Sequence, residues 1–114
     1  MTIPDYESLM MPVLNVLADG KQRSLASIRD QIAKTLGVTD EERKECLPSG
    51  PKKFDNRVGW ARQYLLKAGL IEKVERGVFV ITEAGLAVID EGHKRIDRHY
   101  LMKYPSFRRY MNKD

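Results

Sequence analysis

Cysteine is almost missing from this 114-residue chain, where Cys46 stands alone. A single thiol excludes an internal disulfide and a cysteine-rich zinc site, is read as packing, and fits a reducing, cytoplasmic setting. Long apolar runs are missing as well. The best of them, Leu9 to Leu17, is broken by Pro12 and Asn15 and falls short of the ~20 residues that span a bilayer, so no membrane partner is expected. The N-terminus places Asp5 and Glu7 where a secretory leader carries basic residues. The only histidines, His93 and His99, stand six apart, a spacing that suits no same-face helical metal pair, and neither GxxxxGK nor GxGxxG occurs. The expectation is no metal and no cofactor.

Pro4-Asp5 together with Glu42-Arg43-Lys44 matches, letter by letter, the scattered carboxylates and lysine of a metal-dependent nuclease. That chemistry needs carboxylates converging from adjacent strands. Here the first pair opens one helix and the second lies in another, so no catalytic residue is assigned and the chain is not read as an enzyme.

What is present is enough apolar material for a core, with 42% hydrophobic and 32% charged residues, and a length suited to one domain. The formal charge of +4 is unevenly spread. Residues 1–51 carry six basic and eight acidic side chains, and residues 52–76 carry seven and three. Residues 77–93 are acidic by three, and residues 94–114 carry seven basic and two acidic side chains. Positive charge thus lies in two blocks, which makes polyanions the natural partner class.

Asp5 can cap a helix in which Leu9, Met10, Val13, Leu14 and Leu17 recur at helical spacing, with Pro12 implying a kink or a later start. After Asp19-Gly20, Arg23 to Leu25 reads as a short extended stub. Ser27 is the expected cap of a helix with Ile28, Ile32 and Leu36 in one stripe, ended by Gly37. Thr39 to Glu42 forms a capping box, for a helix reaching about Leu47, and Pro48 to Pro51 forces a loop. Asp55 is the expected cap of a helix over Asn56–Ala68, stopped by Gly69. Ile71 to Val74 and Val78 to Thr82 read as strands around Glu75-Arg76-Gly77, and Thr82 caps a further helix with Leu86, Val88 and Ile89. Beyond it, Ile96, Tyr100, Leu101, Tyr104, Phe107, Tyr110 and Met111 follow helical spacing, with Pro105 opening a second turn.

This order is that of a winged helix-turn-helix, mainly α with a small β-hairpin wing, whose recognition helix is Asn56–Ala68. At 100° per residue, Val58, Ala61, Tyr64, Leu65 and Ala68 share an inner arc with Trp60 at its edge. Trp60 is assigned to packing, so its truncation is expected to unfold the domain at ~3–5 kcal/mol. The outer arc carries Asp55, Asn56, Gly59, Arg62, Gln63, Leu66 and Lys67. Asn and Gln suit adenine edges, and Arg and Lys suit guanine or phosphate. Gly59 costs ~1 kcal/mol inside a helix; either it has a reason, such as the close approach of another backbone, or this is a solvated face with a tolerated glycine. Arg57 falls within the apolar arc and is read as structural.

The segments IPDYESLMMPVL, FDNRVGWARQYLLKAGLIEK, RGVFVITEAGLAVI and YPSFRRY resemble the N-terminal domain of Mrr-type restriction endonucleases, from Thr2 to about Tyr110. The most specific stretch is Asn56-Arg57, Gly59-Trp60-Ala61, Leu65 and Ala68-Gly69-Leu70. The resemblance implies a winged helix that binds double-stranded DNA ahead of a PD-(D/E)xK nuclease domain acting on foreign, often methylated, DNA. The expected organisation is one domain over 1–114, with a core at 5–92, a helical extension at 94–111, and the nuclease domain absent. Asn56, Arg62, Gln63 and Lys67 are the expected major-groove residues, with Lys52, Lys53, Lys73 and Arg76 on flanking phosphates. Two other readings stay open: a free-standing winged-helix transcriptional regulator, and an interaction module without DNA binding. A homodimer through the C-terminal aromatic segment is carried with them.

Overall fold

The computed structural model describes residues 3–112, so Thr2 and the outer ends of the 1–114 range lie outside the described residues. The elements run α1 (Met10–Val16), β1 (Arg23–Ser24), α2 (Leu25–Leu36), α3 (Asp40–Lys44), α4 (Lys53–Ala68), β2 (Ile71–Glu75), β3 (Val78–Ile81), α5 (Glu83–Asp90), α6 (Arg98–Leu101) and α7 (Pro105–Met111). The fold is mainly α with a small antiparallel sheet in the order β1–β3–β2, a winged helix-turn-helix with β2–β3 as the wing.

The start of the chain resolves the awkward proline. Asp5 Oδ1 accepts the Ser8 N–H at 2.7 Å and so caps a leading turn, but regular helix begins only at Met10. Pro12 is then the third helical residue, where an N–H has no intrahelical acceptor to lose. β1 pairs with β3, Arg23 opposite Phe79, and passes straight into α2. The cap of α2 is accordingly Ser24, whose Oγ accepts Ser27 N–H at 3.1 Å, and not Ser27. The Thr39 box forms with Glu42 as expected, but α3 stops at Lys44 instead of reaching Leu47. The backbone there leaves the helix for an isolated bridge, Cys46 to Lys52, which closes the proline loop and leaves Cys46 exposed instead of packed.

That bridge delivers the chain into α4 earlier than Asp55. The N-cap is Lys52, without a side-chain cap, and Asp55 sits in the first turn, where a carboxylate favours the positive end of the helix. Its side chain is drawn instead to α2 and α3: Arg29 Nε lies 3.9 Å and Arg43 Nη2 3.7 Å from Asp55 Oδ1. The earlier start adds Phe54 to the buried stripe Val58, Ala61, Leu65 and Ala68. Each fully buried Phe, Leu or Val side chain contributes roughly 1.5–3 kcal/mol by leaving water. Arg57 is structural, its Nη1 donating to the carbonyls of Ile3 at 2.8 Å and Pro4 at 3.3 Å.

At the other end, Leu70 N–H donates to Leu65 O and Gly69 N–H to Leu66 O, a Schellman closure with Gly69 at φ 81° and Leu70 buried. Thr82 Oγ1 donates to Gly69 O at 2.7 Å and accepts Gly85 N–H at 3.2 Å, so one hydroxyl caps α5 and ties it to the end of α4. A Cβ on Gly85 would stand 2.2 Å from Leu70 O and 2.6 Å from Ile81 Cγ1, so only glycine fits there. Val88 is buried and Ile89 half-buried, but Leu86 points outward.

The C-terminal segment folds back over α4. Ile96, Leu101 and Phe107 are buried, and Tyr64 meets Phe107 and Tyr110 edge-on at 5.5 and 6.1 Å. Pro105 opens α7 as expected. The aromatics that suggested a dimer are thus spent on the domain's own core. Glu91 holds this return in place. Its Oε1 accepts the Tyr100 hydroxyl at 2.7 Å and lies 2.6 Å from His93 Nε2. These contacts, Tyr100 first, hold the Glu91 carboxyl below its ordinary value.

Two outcomes follow for stability. Gly85→Ala should lower unfolding free energy by about 3 kcal/mol, the upper range for overpacking, read as a reduced urea midpoint. Glu91 is depressed in the folded chain, so its contribution is complete above its ordinary value of 4.5 and is lost as pH falls through the lowered folded value. Tyrosine near-UV circular dichroism should show the 94–111 segment loosening on acidification, and Glu91→Gln should shrink that pH dependence relative to the unmodified chain.

Candidate nucleic-acid interface

With its inner face buried, α4 leaves its outer face as the floor of an open groove of about 470 Å3. Gly59 lies on the floor beside Asn56, Arg62 and Gln63. Lys52 and Arg29 edge the groove from the preceding loop and from α2. Trp60 and Tyr110 form the opposite rim. Four of the eight expected contact residues, Lys52, Asn56, Arg62 and Gln63, are therefore brought together.

The other four lie around it. Lys53 turns toward Glu45, Nζ to Oε1 3.7 Å, and is the least available of the set. Lys67 is exposed one turn along α4, its ammonium 5.3 Å from the centre of the Tyr110 ring, and shares a smaller hollow with Arg109. Lys73 stands directly opposite Phe79 in the β2–β3 register, so the two side chains leave the sheet on the same side. Arg76 is exposed at the hairpin tip, which Gly77 at φ 76° closes.

Arg62 links helix to wing. Its guanidinium lies 5.4 Å from the centre of the Phe79 ring, and its Nη1 donates to Gln63 Oε1 at 3.2 Å. Burial first, and the neighbouring Arg29 charge second, pull its pKa below the usual guanidinium value, though an arginine remains protonated at neutral pH. The Nε atoms of Arg62 and Arg29 are both buried without a hydrogen-bond partner, as is Asp55 Oδ1. Sequence reasoning missed Arg29, which lies in the acidic half of the chain and shows no relation to α4 until α2 packs beside it.

Trp60 is 48% exposed, which overturns its assignment to the core. Among the described residues the one aromatic ring it meets is Tyr64, edge-on, at 6.2 Å between ring centres. No neighbouring backbone approaches Gly59. The only foreign atom near an added Cβ would be Arg62 Nη2 at 3.8 Å. Nothing inside the fold requires a glycine there; its effect is to deepen the groove.

Of the residues that matched a nuclease letter by letter, Asp5 caps the turn before α1 and Glu42 closes the Thr39 box. Among the described residues no three His, Cys, Asp or Glu side chains gather where they could hold a metal ion, and no helix is long and apolar enough to cross a membrane.

The model of the Mrr N-terminal domain family matches residues 6–91, from the leading turn through α5. A curated relative, the type IV methyl-directed restriction enzyme EcoKMrr of Escherichia coli (strain K12), is 36% identical over 86 residues. That stretch covers 75% of this chain and 28% of the relative, so the chain spans under a third of the relative's length. No solved structure matches it.

The geometry makes two stability outcomes checkable by thermal melting. Gly59→Ala should raise unfolding free energy by roughly 0.5–1 kcal/mol, since it removes a helix-interior glycine with room for a methyl. Trp60→Ala should cost only about 1 kcal/mol, the scale of one aromatic edge contact, and so leave the domain folded.

Proposed function

Because this chain belongs to the Mrr N-terminal domain family, a domain of restriction systems, we propose that it binds double-stranded DNA through the open face of α4 and the β2–β3 wing. The observation that carries this reading is the groove itself. It gathers Lys52, Arg29, Asn56, Arg62 and Gln63 around an unoccluded helix glycine, and Lys73 and Arg76 extend it along the wing. Phosphate contacts supply most affinity in such a module, and a few base contacts supply any preference. Asn56 and Gln63 offer amides for base edges, while Lys67, Lys73 and Arg76 are free to meet phosphates.

Residues 5–92 serve as the DNA-reading core and 94–111 as an extension that braces α4. Cutting is assigned to a separate nuclease domain and not to these residues. The relative is named as methyl-directed, so methylated DNA is the substrate class carried over. The rival interaction module loses its main support, since Phe107 is fully buried and Tyr100, Tyr104 and Tyr110 are half-buried. A transcriptional regulator shares the DNA chemistry and gains nothing specific from the fold.

Fluorescence anisotropy of a labelled duplex, methylated and unmethylated, tests the reading. Binding should weaken steeply with salt, and Lys67→Ala and Arg76→Ala should each lower the slope of log K against log salt by about 0.9, one phosphate contact apiece. A folded chain that binds neither duplex at low salt overturns the proposal.

A further inference from the structure

We infer that Arg29 and Arg62 together form the seat for a single phosphate of the bound DNA, in the groove above Gly59. The inference rests on the DNA reading just given and deepens it: it adds a residue on α2 to the interface and reassigns Arg62 from base edge to backbone.

The charge arrangement is the first ground. Among the described residues Arg62 has no carboxylate within ion-pairing distance; its one polar partner is the neutral Gln63 Oε1. Arg29 has only Asp55, at 3.9 Å, beyond hydrogen-bonding reach. That carboxylate is shared with Arg43, itself 2.8 Å from Asp30. Asp55 also lines the groove, but Arg29 and Arg43 hold it from the α2 and α3 side. Two guanidiniums thus line one groove and repel, each with a buried and unsatisfied Nε–H. An anion between them would relieve the repulsion, and the planar guanidinium fork fits phosphate oxygens in pairs.

The second ground is shape. Arg62 lies back on Phe79 and is half-buried, so it presents donors low in the groove and does not project as a base reader must. Gly59 keeps the space above it empty. A phosphate is the part of DNA that reaches such a depth without unstacking a base.

The test measures duplex anisotropy at several salt concentrations on the intact chain. Arg29→Ala should weaken binding about tenfold at low salt and lower the salt slope by about 0.9. Arg29→Ala/Arg62→Ala should bind little worse than Arg62→Ala alone, since both side chains serve one phosphate. Should Arg29→Ala fail to fold by circular dichroism, Arg29→Gln removes the charge while keeping much of the side chain. The single tryptophan, Trp60 on the groove rim, gives a second readout. Inorganic phosphate should shift its emission saturably in the unmodified chain and not in the Arg29 variant. An unchanged slope in the Arg29 variant, with Arg76→Ala still lowering it, leaves DNA binding standing and removes the seat. Saturation by inorganic phosphate in a chain that binds no duplex would make the site one for free phosphate and overturn the DNA reading instead. Neither response overturns both.

Discussion

Everything in this fold depends on burying one face of α4. Phe54, Val58, Ala61, Leu65 and Ala68 form a continuous stripe, and α1, α2, α3, α6, α7 and β2 all pack against this one helix. Because the side chains repeat every 3.6 residues, committing that stripe to the core leaves Asn56, Gly59, Arg62 and Gln63 on the outside. The groove face is therefore what remains of the helix once the core has claimed its share. The flanking elements set its depth: α2 brings Arg29 to one edge and α7 brings Tyr110 to the other.

Electrostatics follow from the same packing. Asp30 and Asp55 converge on Arg43, and Glu42 is consumed in its own capping box. Their negative charge neutralises the α2–α3–α4 junction and stops there. Arg62, two turns further along the same face of α4, is left with a ring and an amide as partners. A modest net charge thus yields a groove lined by three cations and one carboxylate, because pairing is local and a net count is not.

The C-terminal segment shows why the family match and the packed unit need not coincide. The match ends at residue 91, yet Phe107 is fully buried against α4, and Arg57 and Tyr6 likewise pin the first described residues to it. Glu91 is the hinge of this return, holding Tyr100 and His93 through one carboxylate oxygen. Aromatic residues that looked like a strip for a second copy instead cover part of α4. Sequence spacing read helix over 94–111, but helix forms only at Arg98–Leu101 and Pro105–Met111, with Ile96 in the connecting segment, and it could not say which surface these residues would cover.

Local physics accounts for what the sequence determined by itself. Apolar periodicity, the Thr39 box, the Gly69 stop and the hairpin turn at Gly77 each depend on a few neighbouring residues, so the winged-helix order and the inner arc of α4 were legible before any coordinates. Where a cap or end depended on a distant partner, the reading slipped. Ser24 displaced Ser27 because β1 pairs with β3, and Lys52 displaced Asp55 because the Cys46–Lys52 bridge feeds the helix early. Trp60 lay at the edge of the inner arc, and the sequence could not say that the buried stripe would stop short of it. Arg29 joined the groove only because α2 and α4 meet. Long-range packing alone could decide these, since it brings together groups whose sequence separation carries no signal of their contact.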